Sequence, residues 1–193
     1  KPMFEHFDMI SPEQKAQLIG ATIQIAQSVP PEPAYVALQE LRERLEEFES
    51  PDMRQDAMPY AREMASIAEL QHAIARAQKN QERLQETLDW MERHYMSIHA
   101  ISQYLTVRMR KAHLLAATGK QHDATTAFKS TSEFLDSMGD HAPEIAMPMR
   151  CELASIFAAR KDNELAESLH KKACAQAEAS KDVRHIGSTC AAY

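Results

Sequence analysis

A chain of 193 residues can bury a sizeable core and suits one domain or one continuous stack of repeats. Its net charge of −6 supplies no broad positive field, which argues against nucleic acid as a partner in spite of the short basic run Arg108-Met109-Arg110-Lys111. No apolar run approaches the ~20 residues that cross a bilayer, the start has no charged-then-apolar secretory pattern, and Cys151, Cys174 and Cys190 lack paired spacing, so a cytoplasmic protein without a membrane partner is expected.

Along the chain, the four glycines and the clustered prolines leave long stretches of Ala, Leu, Gln, Glu, Lys, Arg and Met, a composition that favours helix. The first helix is predicted to start at Ser11-Pro12-Glu13-Gln14, with Ser11 as cap and Gln14 three residues on, and to run to about Ser28. After Pro30-Pro31-Glu32-Pro33, the residues Ala34, Leu38, Leu41, Leu45 and Phe48 mark one face of a second helix. Its charged residues, the run Arg42-Glu43-Arg44 and Glu46-Glu47 among them, read as a solvated side. An irregular link covers residues 49–59.

Three further hairpins follow. Their first helices carry Met64, Ile67, Ile74 and Ala75, then Ile101, Leu105, Ala112 and Leu115, then Leu153, Ala154, Phe157 and Ala158. Their second helices carry Leu84, Leu88, Met91, Tyr95 and Ile98, then Ala124, Phe128, Thr131, Leu135 and Met138, then Ala166, Leu169, Ala173 and Ala177. These second-helix stripes begin at Leu84, Ala124 and Ala166, 40 and 42 residues apart, and the regularity is the mark of a repeat. Polar breaks at 78–81, 118–122 and 160–163 separate the helices of each pair. Gly119 is placed just past a helix end, where a left-handed residue is needed, and Asp162 is placed as an N-cap. Met147 and Met149 flank Pro148 near a helix start.

Ala112, Leu115, Gly119, Ala124 and Phe128, and again Ala154, Phe157, Ala166 and Ala173, occur in the order of the tetratricopeptide repeat, which the chain resembles from about residue 100 to 180. His170 stands where the family has an aromatic residue and Lys161 where it has glycine. The long period is similar to the long-helix repeats of bacterial regulators such as the maltose transcription activator and the Rap-type proteins. The resemblance implies an all-α fold over residues 1–193, a right-handed superhelical stack of antiparallel hairpins (an α-solenoid). The hairpins would occupy 11–49, 60–98, 100–138 and 143–180, with 182–193 an incomplete repeat or cap, and the whole is expected to be part of a longer protein.

The family register implies a concave groove lined by the first helices: Glu69, Ala73 and Arg76, then Thr106, Met109, Arg110 and His113, then Cys151 and Ser155. The expected function is non-catalytic binding of a protein or peptide, as the sensory or scaffolding part of a bacterial regulator; the alternative is a structural domain that self-associates into a homodimer. Met109 and His113 stand where a chaperone-tail clamp would need lysine and asparagine, which argues against that ligand.

Catalysis and cofactors are not expected. Glycines at 20, 119, 139 and 187 cannot form a phosphate loop or a dinucleotide fingerprint. His170 and Cys174, four apart, would share a helix face as zinc ligands can, but no second His/Cys pair has matching spacing, so His170 is read as a packing residue and no metal site is assigned. His94 and His99 straddle an expected turn and are read as surface or interface histidines. Met64, Met91 and Met138 are read as core.

Overall fold

The computed structural model describes residues 9–47, 60–139 and 141–180. Those residues form eight helices and no strand: α1 (Pro12–Ala26), α2 (Pro31–Glu46), α3 (Ala61–Ala77), α4 (Gln81–Ser97), α5 (Ile101–Ala117), α6 (Gln121–Ser137), α7 (Pro143–Ala159) and α8 (Asn163–Ser180). Helices pack against their sequence neighbours, as a stack of helical hairpins requires. Phe48, the link 49–59, Cys190 and the segment 182–193 lie outside the described residues.

Several helices start or stop for a local reason. Ser11 and Gln14 form a capping box at α1, with Pro12 in the first turn. The Asn80 side chain caps α4 by accepting from Arg83 N, and Asp162 Oδ1 accepts from Leu165 N at 3.5 Å at α8. The ends of α3 to α7 share one device, a left-handed residue just past the last turn: Lys79, His99, Gly119, Gly139 and Lys161 have φ of 54°, 54°, 82°, 59° and 64°. Around Lys79, His99, Gly119 and Lys161 two backbone bonds close back onto the final turn. Examples are Lys79 N to the Arg76 carbonyl and Asn80 N to the Ala75 carbonyl, which satisfy carbonyls that the helix itself leaves unpaired.

The chain divides into two compact units, residues 1–107 and 108–193, so α5 contributes to both. In the first unit α1 packs on α2, α2 on α3 and α3 on α4. Leu38, Leu41, Leu45, Met64, Ile67 and Met91 are fully buried there. The second helices α2 and α4 also meet directly. Arg83 donates to both Glu32 carboxylate oxygens at 2.6 Å and lies over the Tyr35 ring, and the Tyr35 and Thr87 hydroxyls are 3.3 Å apart. This pairing holds Glu32 below the usual carboxylate range.

In the second unit α6 packs on α7 and α7 on α8. Phe128 and Phe157 meet edge to face with centroids 6.5 Å apart. Ala124, Ala166 and Ala173 are buried, allowing close approach of neighbouring helices. Lys172 of α8 reaches Asp136 of α6 at 2.7 Å.

Two readings are corrected here. Arg42 is buried, not solvated. It stands at i+4 from Leu38 and i−3 from Leu45, on the apolar stripe itself, and its guanidinium donates to Gln71 Oε1 at 2.8 Å and lies over the Trp90 ring. Pro148 is not near the start of α7 but five residues inside it. It sits on the exposed face, where water can reach the Glu144 carbonyl that its missing N–H leaves without an i+4 donor.

Candidate interaction surface

The expected groove residues fall into the two units. On α3, Glu69 is half-buried and Ala73 and Arg76 are exposed; on α5, Thr106 is exposed and its hydroxyl donates to the Ser102 carbonyl at 2.9 Å. All four belong to the first unit. Met109, Arg110, His113, Cys151 and Ser155 belong to the second. Met109 is a correction: only 3 % exposed, it packs in the core and offers nothing to a ligand. A thioether gains by such burial.

The remaining four lie on the first helices α5 and α7, which meet at an open polar seam. His113 Nε2 of α5 is 3.9 Å from Glu152 Oε1 of α7, with the side chains 54 % and 53 % exposed. The His113 ring stands edge-on to Phe128, 5.2 Å between centroids, so its base is anchored while its polar edge faces solvent. Ser155 is exposed and bonds the Cys151 carbonyl at 3.1 Å; Arg110 and Cys151 are half-buried beside it in sequence register. Glu152 was not singled out from sequence, although it follows Cys151 directly and lies three before Ser155.

A polar cleft lies elsewhere. About 420 Å³ in volume, it lies between the second helices α6 and α8 and is lined by Glu133, Asp136, Asp162 and Glu164 against Lys129. Lys129 stands 3.7 Å from Asp162, and Asp136 is engaged by Lys172 and Arg150. Part of its charge is thus already compensated.

Two buried polar clusters escaped the sequence reading. In the first unit His94 is buried, not a surface histidine. It stacks on Trp90 with centroids 4.6 Å apart and donates from Nε2 to the Ala61 carbonyl at 3.1 Å, at the first residue of α3. Trp90 in turn donates from its indole to Glu46. Burial lowers the His94 pKa, while the Ala61 carbonyl and Glu46 work in the other direction. In the second unit Arg150 is buried at i−3 from Leu153. It donates to Gln176 Oε1, to the Leu135 carbonyl at 3.1 Å and to Asp136 at 3.2 Å, while Gln176 donates to the Gly139 carbonyl. It thereby fastens the end of α6 to α7 and α8.

His170 and Cys174 do share a helix face, with Nε2 and Sγ 3.6 Å apart, but His170 is half-exposed rather than packed in the core. Among the described residues no group of three or more His, Cys, Asp or Glu is gathered as a metal site would need, and no helix is long and apolar enough to cross a membrane. No family model, curated protein or solved structure matches the chain.

Proposed function

We propose that the chain is a tetratricopeptide-type module that holds a protein or peptide segment on the first-helix face of its second unit, and that it is not an enzyme. The observation that carries this reading is the exposed seam between α5 and α7, where His113 and Glu152 face each other across adjacent hairpins with their polar groups in solvent. Helical repeats present such faces to extended or helical segments, and the donors of Arg110 and His113 suit carboxylates or backbone carbonyls. The proposed setting is a bacterial cytoplasmic regulator, in which occupancy of the face biases an attached output domain; the repeat period and the residues of the family pattern support it.

The test is fluorescence anisotropy with labelled peptide pools, acidic and basic, against wild type, Arg110→Ala and, as a control in the first unit, Glu43→Ala. Acidic peptides are expected to bind, and Arg110→Ala to weaken binding about tenfold, the effect of one charge-assisted hydrogen bond. Equal losses in Arg110→Ala and Glu43→Ala, whose charge changes are of opposite sign, would mark a non-specific effect of substitution and count against a contact at Arg110. Absence of binding by either pool would sink the proposal.

A further inference from the structure

The last described helix carries a thiol placed to react. Cys174 Sγ lies 3.6 Å from His170 Nε2, one turn earlier on α8, and both side chains are partly exposed. On α8 the buried stripe is Ala166, Leu169, Ala173 and Ala177. Lys172 and Gln176, on one flank of it, reach Asp136 and the Gly139 carbonyl at the end of α6. At 100° per residue His170 and Cys174 fall on the other flank, away from α6.

We propose that Cys174 is a redox-modification site, its thiol activated by His170, that forms mixed disulfides with small-molecule disulfides of the glutathione class. The thiolate is the reactive species, and a neighbouring imidazole that accepts the thiol proton increases its share near neutral pH. In the exchange the Cys174 thiolate forms a bond to one sulfur of the incoming disulfide, that disulfide bond breaks, and the departing thiolate takes the proton held by His170. The incoming disulfide is the oxidant; one protein thiol is consumed and one small thiol released.

Among the described residues, charged groups on α8 and α7 are placed as follows. Glu167 and Lys171 lie within a turn of His170 and pair with each other at 2.6 Å. Glu178, exposed and one turn beyond Cys174, opposes the thiolate through a solvent-screened interaction. From α7, Arg150 is held on the α6 flank, Arg160 bonds Thr125, Glu152 is turned toward His113, and Glu144 is exposed in the first turn.

Trypsin separates the two described cysteines into the peptides 151–160 and 173–181, so oxidised glutathione uptake at each is read by mass spectrometry on the intact folded chain before digestion. Cys151, also partly buried, is the internal reference. Near neutral pH, Cys174 is expected to react about threefold faster than Cys151, because a larger thiolate share is partly offset by lower intrinsic nucleophilicity. The ratio should collapse toward one in His170→Asn, with helicity checked by circular dichroism. A wild-type ratio of one, or a ratio unchanged by His170→Asn, overturns the proposal. If His170→Asn fails to fold, the wild-type pH profile decides. Cys174 reactivity persisting to lower pH than that of Cys151 supports the proposal; parallel profiles overturn it.

Discussion

Two buried arginines, Arg42 and Arg150, each occupy a position on an apolar helix stripe and each meet a buried glutamine, Gln71 and Gln176. A buried guanidinium is tolerated because partners take up its terminal donors, although Nε of each arginine makes no hydrogen bond, and removing it strands those partners. Arg150→Met keeps the aliphatic stem but leaves Gln176 Oε1 and the Leu135 carbonyl without their donor. It is expected to cost about 2 kcal/mol in urea denaturation; an unchanged midpoint would mean that the cluster contributes no net stability. These positions were legible as stripe positions by spacing, since Arg150 stands three after Met147 and three before Leu153, but residue type alone assigns arginine to solvent. His94 was misread for the same reason. Because its folded pKa lies below the ordinary value of about 6.5, chiefly through burial, the unfolded chain takes up a proton first as pH falls. Stability from neutral His94 is therefore full above that value and is lost as pH drops through it toward the folded pKa. His94→Gln retains a donor for the Ala61 carbonyl and cannot titrate. Its urea midpoint should fall less between about pH 7.5 and about pH 5.5 than that of the wild type, and identical slopes would assign the pH dependence to other groups.

Helix ends translate directly into backbone energetics. Gly119 and Lys161 occupy the same left-handed position after α5 and α7, at φ 82° and 64°, and the paired backbone bonds around them are the same. A non-glycine residue is strained there, so Gly119→Ala should destabilise by about 1 kcal/mol. The cost is one of backbone conformation, since a Cβ at Gly119 meets nothing within 4 Å. Lys161→Gly should stabilise by up to about 1 kcal/mol, glycine's larger unfolded-state entropy offsetting part of the relief. Thermal melts of the two variants should move in opposite directions, and a shift of the same sign in both would reject the shared-turn account. The helices themselves were legible because one apolar stripe at a period of 3.6 runs through each, as in Leu84, Leu88 and Met91. Lys79, His99 and Lys161 were not legible as left-handed residues. The fold imposes that conformation on them against local preference, whereas Gly119 announces it.

For the whole molecule, the order of hairpins was readable because each short break forces the chain back on itself, and packing between sequence neighbours follows. The exposure of the candidate face was less readable. A register taken from a family resemblance can set Met109 one helical step from its true environment, and only packing from neighbouring elements decides that it is buried while His113 stays open. The same nearest-neighbour logic yields a test of the repeat register. Ala124 and Ala166 are the small residues opening the second-helix stripes of the second unit, at 0 % and 1 % exposure, so Ala124→Leu or Ala166→Leu should overpack by about 1 to 3 kcal/mol. Trp90, the single tryptophan of the chain, lies in the first unit and reports it by fluorescence, whereas circular dichroism sums all helices. In a stack whose contacts are local, either substitution should lower the dichroism-monitored melting temperature more than the Trp90-monitored one. Equal depression of both signals would show that the chain unfolds as one cooperative block. Melts unaltered by both substitutions would show that the two alanines are not at tight contacts and that the second-helix register is misassigned.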